Sequence, residues 1–170
     1  EAPSEAARAA YQIALSEFEL SAGRVDAARA LLEGLVETAP STNVADRARV
    51  ELARLALRER DVERARTLVD EVLARDRDNV GALTIRASIQ IDSLDLEEAV
   101  LTLRRALGLD PQNARLMMLE AVAHERAGNA VLAGDRLAAA ARASALDPEI
   151  TLRYAAHLRQ NDQVGRAVTA

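Results

Sequence analysis

Cysteine, tryptophan and lysine are all missing from these 170 residues, so the 22 basic side chains are arginines without exception. Without cysteine there are no disulfides, no thiolate metal sites and no cysteine nucleophile, although the compartment stays open. Aromatic residues supply only 2% of the chain, as Tyr11, Phe18 and Tyr154, whereas 49% of it is hydrophobic. A core made chiefly of alanine and leucine, with strand-forming residues scarce, favours helices packed on helices. No apolar run reaches the 18 residues that a membrane span needs, and no signal peptide opens the chain. It begins at Glu1 instead of methionine, which leads us to expect a piece of a longer or processed protein. Acidic residues number 27, giving a net charge of −5 with the two signs interspersed. Phosphate binding wants a basic surface, so nucleic acid is not an expected partner.

What is present is a repeat. Ala65, Ala99, Ala133 and Ala167 stand 34 residues apart, as do Ala53, Ala87, Ala121 and Ala155, and a third column runs Val72, Ala106, Ala140. Turn residues keep the same phase: Asp61, Asp95 and Asn129 between the alanine columns, and Asn79, Asn113 and Asp147 at the end of each unit. Apolar residues in "VERARTLVDEVLAR" fall at Ala65, Leu68, Val69, Val72 and Leu73, the spacing of one helix face. Each unit therefore reads as helix, short turn, helix. Asp61, Asp95 and Asn129 are of the types that cap a helix start with a side-chain oxygen. Gly23 and Gly128 suit the left-handed residue that ends a first helix, and Pro40, Pro111 and Pro148 sit where a missing N–H does no harm. An alanine where helices cross has a steric reason, because overpacking costs about 1–3 kcal/mol.

These residues resemble the tetratricopeptide repeat, with small residues at fixed points of both helices and an "LDP" ending at Leu109, Asp110 and Pro111. The resemblance covers about residues 9 to 170. It implies an all-α fold, a right-handed α-solenoid of stacked antiparallel helix pairs with a concave face lined by the first helix of each unit. We draw one domain over 1–170, with units 9–45, 46–79, 80–113, 114–147 and a truncated 148–170. Departures are Arg86 and Glu120 in a usually apolar column, few aromatics, and an interval of 37 from Ala28 to Ala65 that fits three extra residues after Pro40, around "STNVA". Pentatricopeptide repeats, which read RNA, have a period nearer 35 and suit an acidic chain poorly.

The expected function is non-catalytic binding of a peptide or helix of a partner protein in that groove, within an assembly such as a bacterial envelope or polysaccharide-export complex. Carried over from the family, the groove positions are Val50, Arg54 and Leu57, then Thr84, Ser88 and Ile91, then Met118 and Val122, continuing to Ile13, Glu17, Leu20, Glu125, Leu152, Ala156 and Arg159. Arg47, Arg54 and Arg58 lie on one helix stripe and could pair with carboxylates by bidentate hydrogen bonds, and Arg115 belongs to the same set. The opposite reading is that Glu51, four from Arg47 and three from Arg54, neutralises the stripe. No cofactor is expected. His124 and His157 with Glu120 or Glu125 make the best metal constellation on offer, yet no HExxH or comparable spacing supports it. Glu97 and Glu98 favour a helix start and do not form an acid–base pair. The alternative class is a spacer or self-assembly element acting through its end face, where Val164, Ala167 and Val168 lack a following helix. Localisation stays open between periplasm, envelope and cytoplasm.

Overall fold

The computed structural model describes residues 5–38 and 42–161, and nine helices run through them with no strand among the described residues. Pro40, Val164, Ala167 and Val168 lie outside the described residues, and so does the proposed self-association surface. The chain divides into two compact units, residues 1–77 and 78–170.

The first unit holds α1 (Glu5–Ser21), α2 (Val25–Thr38), α3 (Asn43–Arg58) and α4 (Val62–Arg75), each packed on the next. Its core is Ile13, Leu32, Leu35, Ala48, Leu52 and Leu55. The three residues in excess of the repeat are not a loop. Helix α3 is 16 residues long where α5, α7 and α9 are 13, so Asn43, Val44 and Ala45 form an extra N-terminal turn of helix. Thr42 caps that turn by accepting from the Ala45 N–H at 3.1 Å, and buried Asp46 accepts from Arg75 at 2.9 Å, tying it to the end of α4.

The second unit holds α5 (Val80–Asp92), α6 (Leu96–Leu109), α7 (Ala114–Arg126), α8 (Ala130–Ala143) and α9 (Pro148–Gln160). Ala121, Leu137, Ala138, Tyr154 and Leu158 form one core cluster in it, and Leu103 and Leu116 are fully buried as well. Arg126 of α7 donates to Asp92 at 3.0 Å and to the Ile91 carbonyl at 2.7 Å, so one guanidinium holds the C-terminal end of α5.

The small-residue columns are buried as their phase requires: Ala53, Ala87, Ala121, Ala65, Ala99, Ala133, Val72, Ala106 and Ala140 are all fully inaccessible. Ala155 is only half-buried, in the last helix of the second unit. Capping follows the sequence in part. Asn79, Asn113 and Asp147 each accept from a first-turn N–H, and Asp61 accepts from Arg64. Asp95 and Asn129 hold the cap position but make no side-chain cap hydrogen bond, which corrects the expectation for these two.

Those turns are closed by backbone. The N–H groups of Asp61, Asp95 and Asn129 each donate to a carbonyl five residues back, Ala56, Gln90 and His124, at 2.8 Å. This bond requires a left-handed residue just before it. Gly128 (φ 75°) serves there, as does Gly23 (φ 76°) in the first turn, but the same place is held by Arg60 and Leu94, each with φ 64°.

Candidate functional site

Helix α3 presents the expected arginine stripe. Arg47 and Arg58 are exposed, and neither has an ion-pair partner among the described residues. Between them Arg54 faces Glu51 at 3.3 Å, both half-buried. The two readings of the stripe are thus divided by position, the centre neutralised and the ends left positive. Arg47 and Arg58 stand eleven residues apart, which returns to the same face after three turns and separates them by about 16 Å along the axis. Val50 is buried beside this stripe and Leu57 is half-buried.

In the second unit the expected set is partly withdrawn from solvent. Thr84 and Ile91 are buried, and the Thr84 hydroxyl donates to the Val80 carbonyl at 2.7 Å. Ser88 is half-buried and donates to the Thr84 carbonyl at 3.0 Å. These hydroxyls satisfy their own helix, a common arrangement for serine and threonine within helices. On α7, Arg115 is exposed without an ion pair among the described residues, and Met118 and Val122 are half-buried. Of the expected groove residues on α3, α5 and α7, Arg47 and Arg58 are thus exposed in the first unit and Arg115 in the second, with Met118 and Val122 half-buried, while Val50, Thr84 and Ile91 are buried.

The histidines have separate surroundings. His157 is buried, with Nδ1 3.1 Å from Glu125 Oε1 and Nε2 2.9 Å from the Ala130 carbonyl. Both ring nitrogens face protein acceptors, which leaves neither a lone pair directed at a metal. Glu125 also accepts from Arg153 at 3.1 Å. His124 lies instead 3.8 Å from Glu120, and the described residues contain no group of three or more acidic, histidine or cysteine side chains arranged to hold a metal ion.

Glu120 is the site residue whose setting the sequence revealed least. It is fully buried on α7 between Arg104 of α6, at 3.5 Å, and Arg136 of α8, at 3.3 Å. Neither carboxylate oxygen makes a hydrogen bond. The only signal was an acid in a column that Leu52 and Tyr154 fill with apolar bulk.

Residues 19–89 match one tetratricopeptide repeat family and residues 86–148 match another. Among solved structures the chain is similar to that of pilF from Pseudomonas aeruginosa, at 21% identity and a TM-score of 0.81 over 95% of this chain and 72% of that one. It is similar also to a thermophilic TPR protein of Thermus thermophilus, at 21% identity and 0.79 over 95% and 87%. MamA residues 41 to the end, from Desulfovibrio magneticus RS-1, align at 15% identity and 0.72 over 95% and 89%. No curated protein matches. At these identities the likeness speaks for an all-α helical repeat fold.

Proposed function

Because the chain belongs to the tetratricopeptide repeat family, we propose that it is a non-catalytic scaffold holding a peptide or helix of a partner protein against the exposed face of its first helices. The family's fold generally mediates protein–protein interaction, and its members are generally non-catalytic. The observation that carries the reading is the pair Arg47 and Arg58. Two guanidiniums on one stripe without an ion-pair partner among the described residues, in a protein of net charge −5, are a local reversal of sign. Such a reversal selects carboxylates and steers their approach. In the second unit Arg115 with the adaptable Met118 and the aliphatic Val122 offers a mixed surface of the same kind. No helix among the described residues is long and apolar enough to cross a membrane. The alanine- and arginine-rich repeat fits a bacterial origin, as do bacterial structures of the same fold, and we extend this by family resemblance to a bacterial assembly such as an envelope or polysaccharide-export complex.

The test is affinity capture from the source cell's lysate, with this chain as bait beside the double variant Arg47→Glu, Arg58→Glu. Both side chains are exposed, so the variant should fold. We expect a protein retained by the original chain and lost by the variant. Retention of the same proteins by both would remove the stripe from the binding surface.

A further inference from the structure

Two of the chain's three aromatic residues stand in solvent on one helix. Tyr11 is 67% exposed and Phe18 59%, and with Ala7 and Ala14, also exposed, they form a stripe along α1 opposite the side that buries Ile13. Steps of four, three and four residues are those of a seam by which one helix packs on another. We propose that this stripe is a self-association surface, on which α1 of a second copy of the chain packs antiparallel across a two-fold axis.

The register of the repeat shows that these positions are ones a helix covers. The residues 37 further on are Ala48 and Leu55 of α3, which are 0% and 2% exposed in a helix packed on α2. Two repeats later Leu116 and Ala123 of α7 hold the same places, both fully buried in a helix packed on α6. Among the described residues α1 packs on α2 and α3, and its stripe stays in water.

Shape selects the occupant. A helix spaced as α2 is from α3 would be overpacked by the Tyr11 ring, in a place that Ala48 fills there with one methyl. A second α1 fits instead. With the axis between residues 12 and 13, Tyr11 meets Ala14 of the second copy and Phe18 meets its Ala7, because both pairs are symmetric about that point. Each layer of the contact then holds one ring and one methyl, the alternation of large and small that lets facing helices interdigitate. A parallel pair would set ring on ring and methyl on methyl. The flanks agree, since the antiparallel order brings Arg8 to Leu15 and Glu17 to Ala10, and no like charges face each other. Arg24 stacks 5.4 Å from the centre of the Phe18 ring, which holds that ring in place before the second copy arrives. Four rings at these exposures supply on the order of 500 Å² of contact, against about 1,200 Å² for a stable specific interface, so the dimer is weak and reversible.

Sedimentation equilibrium of the whole chain, from about 10 μM to 1 mM, is the experiment. The average mass should rise from 18.3 kDa toward twice that value across this range. Ala14→Tyr enlarges the apolar surface but sets ring on ring, so it should weaken association at least about tenfold; adding Tyr11→Ala exchanges ring and methyl and should restore it to within about threefold. Both positions are exposed, so these variants keep the fold. A nitroxide on Ser21→Cys, in a chain with no other cysteine, should broaden the amide signals of residues 7–10 in an ¹⁵N-labelled second copy, as the antiparallel order requires. A monomer at the highest concentration would leave the stripe to a helix of another protein and overturn the proposal. So would tighter association by Ala14→Tyr, no recovery in the double variant, or broadening centred on residues 18–22. The Arg47→Glu, Arg58→Glu variant should associate as the original chain does, so the failure of this surface and that of the α3 stripe are read separately.

Discussion

Leu94 holds a left-handed backbone conformation, φ 64°, with a side chain 68% exposed. That conformation costs a side-chain-bearing residue about 1–2 kcal/mol, and Leu94 recovers little of it through packing. Glycine adopts it freely but loses more entropy on folding, so Leu94→Gly should raise stability by a net of about 0.5–1 kcal/mol in urea denaturation. Gly128 holds the same place one repeat later, and a Cβ there would meet nothing within 4 Å. Gly128→Ala should therefore cost about 1 kcal/mol for conformational reasons alone. Gly128 was legible in the sequence because glycine advertises the conformation. Arg60 and Leu94 were not, because the bond from the following aspartate N–H to the carbonyl five residues back imposes the turn whatever residue occupies it. The Glu19 carboxyl is held below its ordinary value of 4.5, first by the hydrogen bond from Arg24 and then by the nearness of that charge. Because the folded value is lowered, the pair's contribution is present above the ordinary carboxylate range and fades as pH falls through the lowered value. An NMR titration of the Glu19 carboxyl should find it shifted down, and Arg24→Ala should return it toward 4.5.

Helices in each unit are held together by columns of small residues, and the phase of those columns was readable because steric exclusion leaves a period in the sequence. Ala99 is fully inaccessible, so Ala99→Trp should cost more than about 3 kcal/mol, as overpacking of that size cannot be absorbed locally. Arg66 is exposed, with Glu63 at 4.0 Å, and Arg66→Gln should change stability by less than about 0.5 kcal/mol. Equal effects on the thermal midpoint would put the repeat out of register with the structure. Glu120 is a fully inaccessible acid among the inward-facing positions. Its carboxylate is buried without a hydrogen bond, while Arg104 and Arg136 keep substantial contact with water and would remain solvated without it. Glu120→Leu should therefore be neutral or stabilising, by up to about 3 kcal/mol, whereas Glu120→Ala should lie about 2–4 kcal/mol below the leucine variant because it leaves a cavity. Sequence periodicity marked Glu120 as out of place but could not supply the two arginines, which come from helices on either side of α7.

At the scale of the whole chain, the class of fold was legible because it follows from the repeat, and with it the family, whose fold generally mediates protein–protein interaction. The exposed stripe on α1 was not, because Tyr11 and Phe18 stand where later units bury their residues, and only the structure shows them uncovered. The division into two compact units was also hidden, as the 34-residue period runs on without a break from Ala65 to Ala133. Each unit nevertheless has a core of its own. Leu32 is fully buried in the first and Leu137 in the second, and truncating either to alanine should cost about 2–5 kcal/mol. In a repeat protein stability is a sum of local terms, so the loss should be felt first where the cavity is made. Hydrogen exchange followed by mass spectrometry gives the readout. Leu32→Ala should deprotect α1 to α4 while α7 to α9 stay near their original rates, and Leu137→Ala should do the reverse. If both substitutions lower protection evenly through all the described helices, the chain opens as a single cooperative body, and the two cores are one energetic unit whatever their packing.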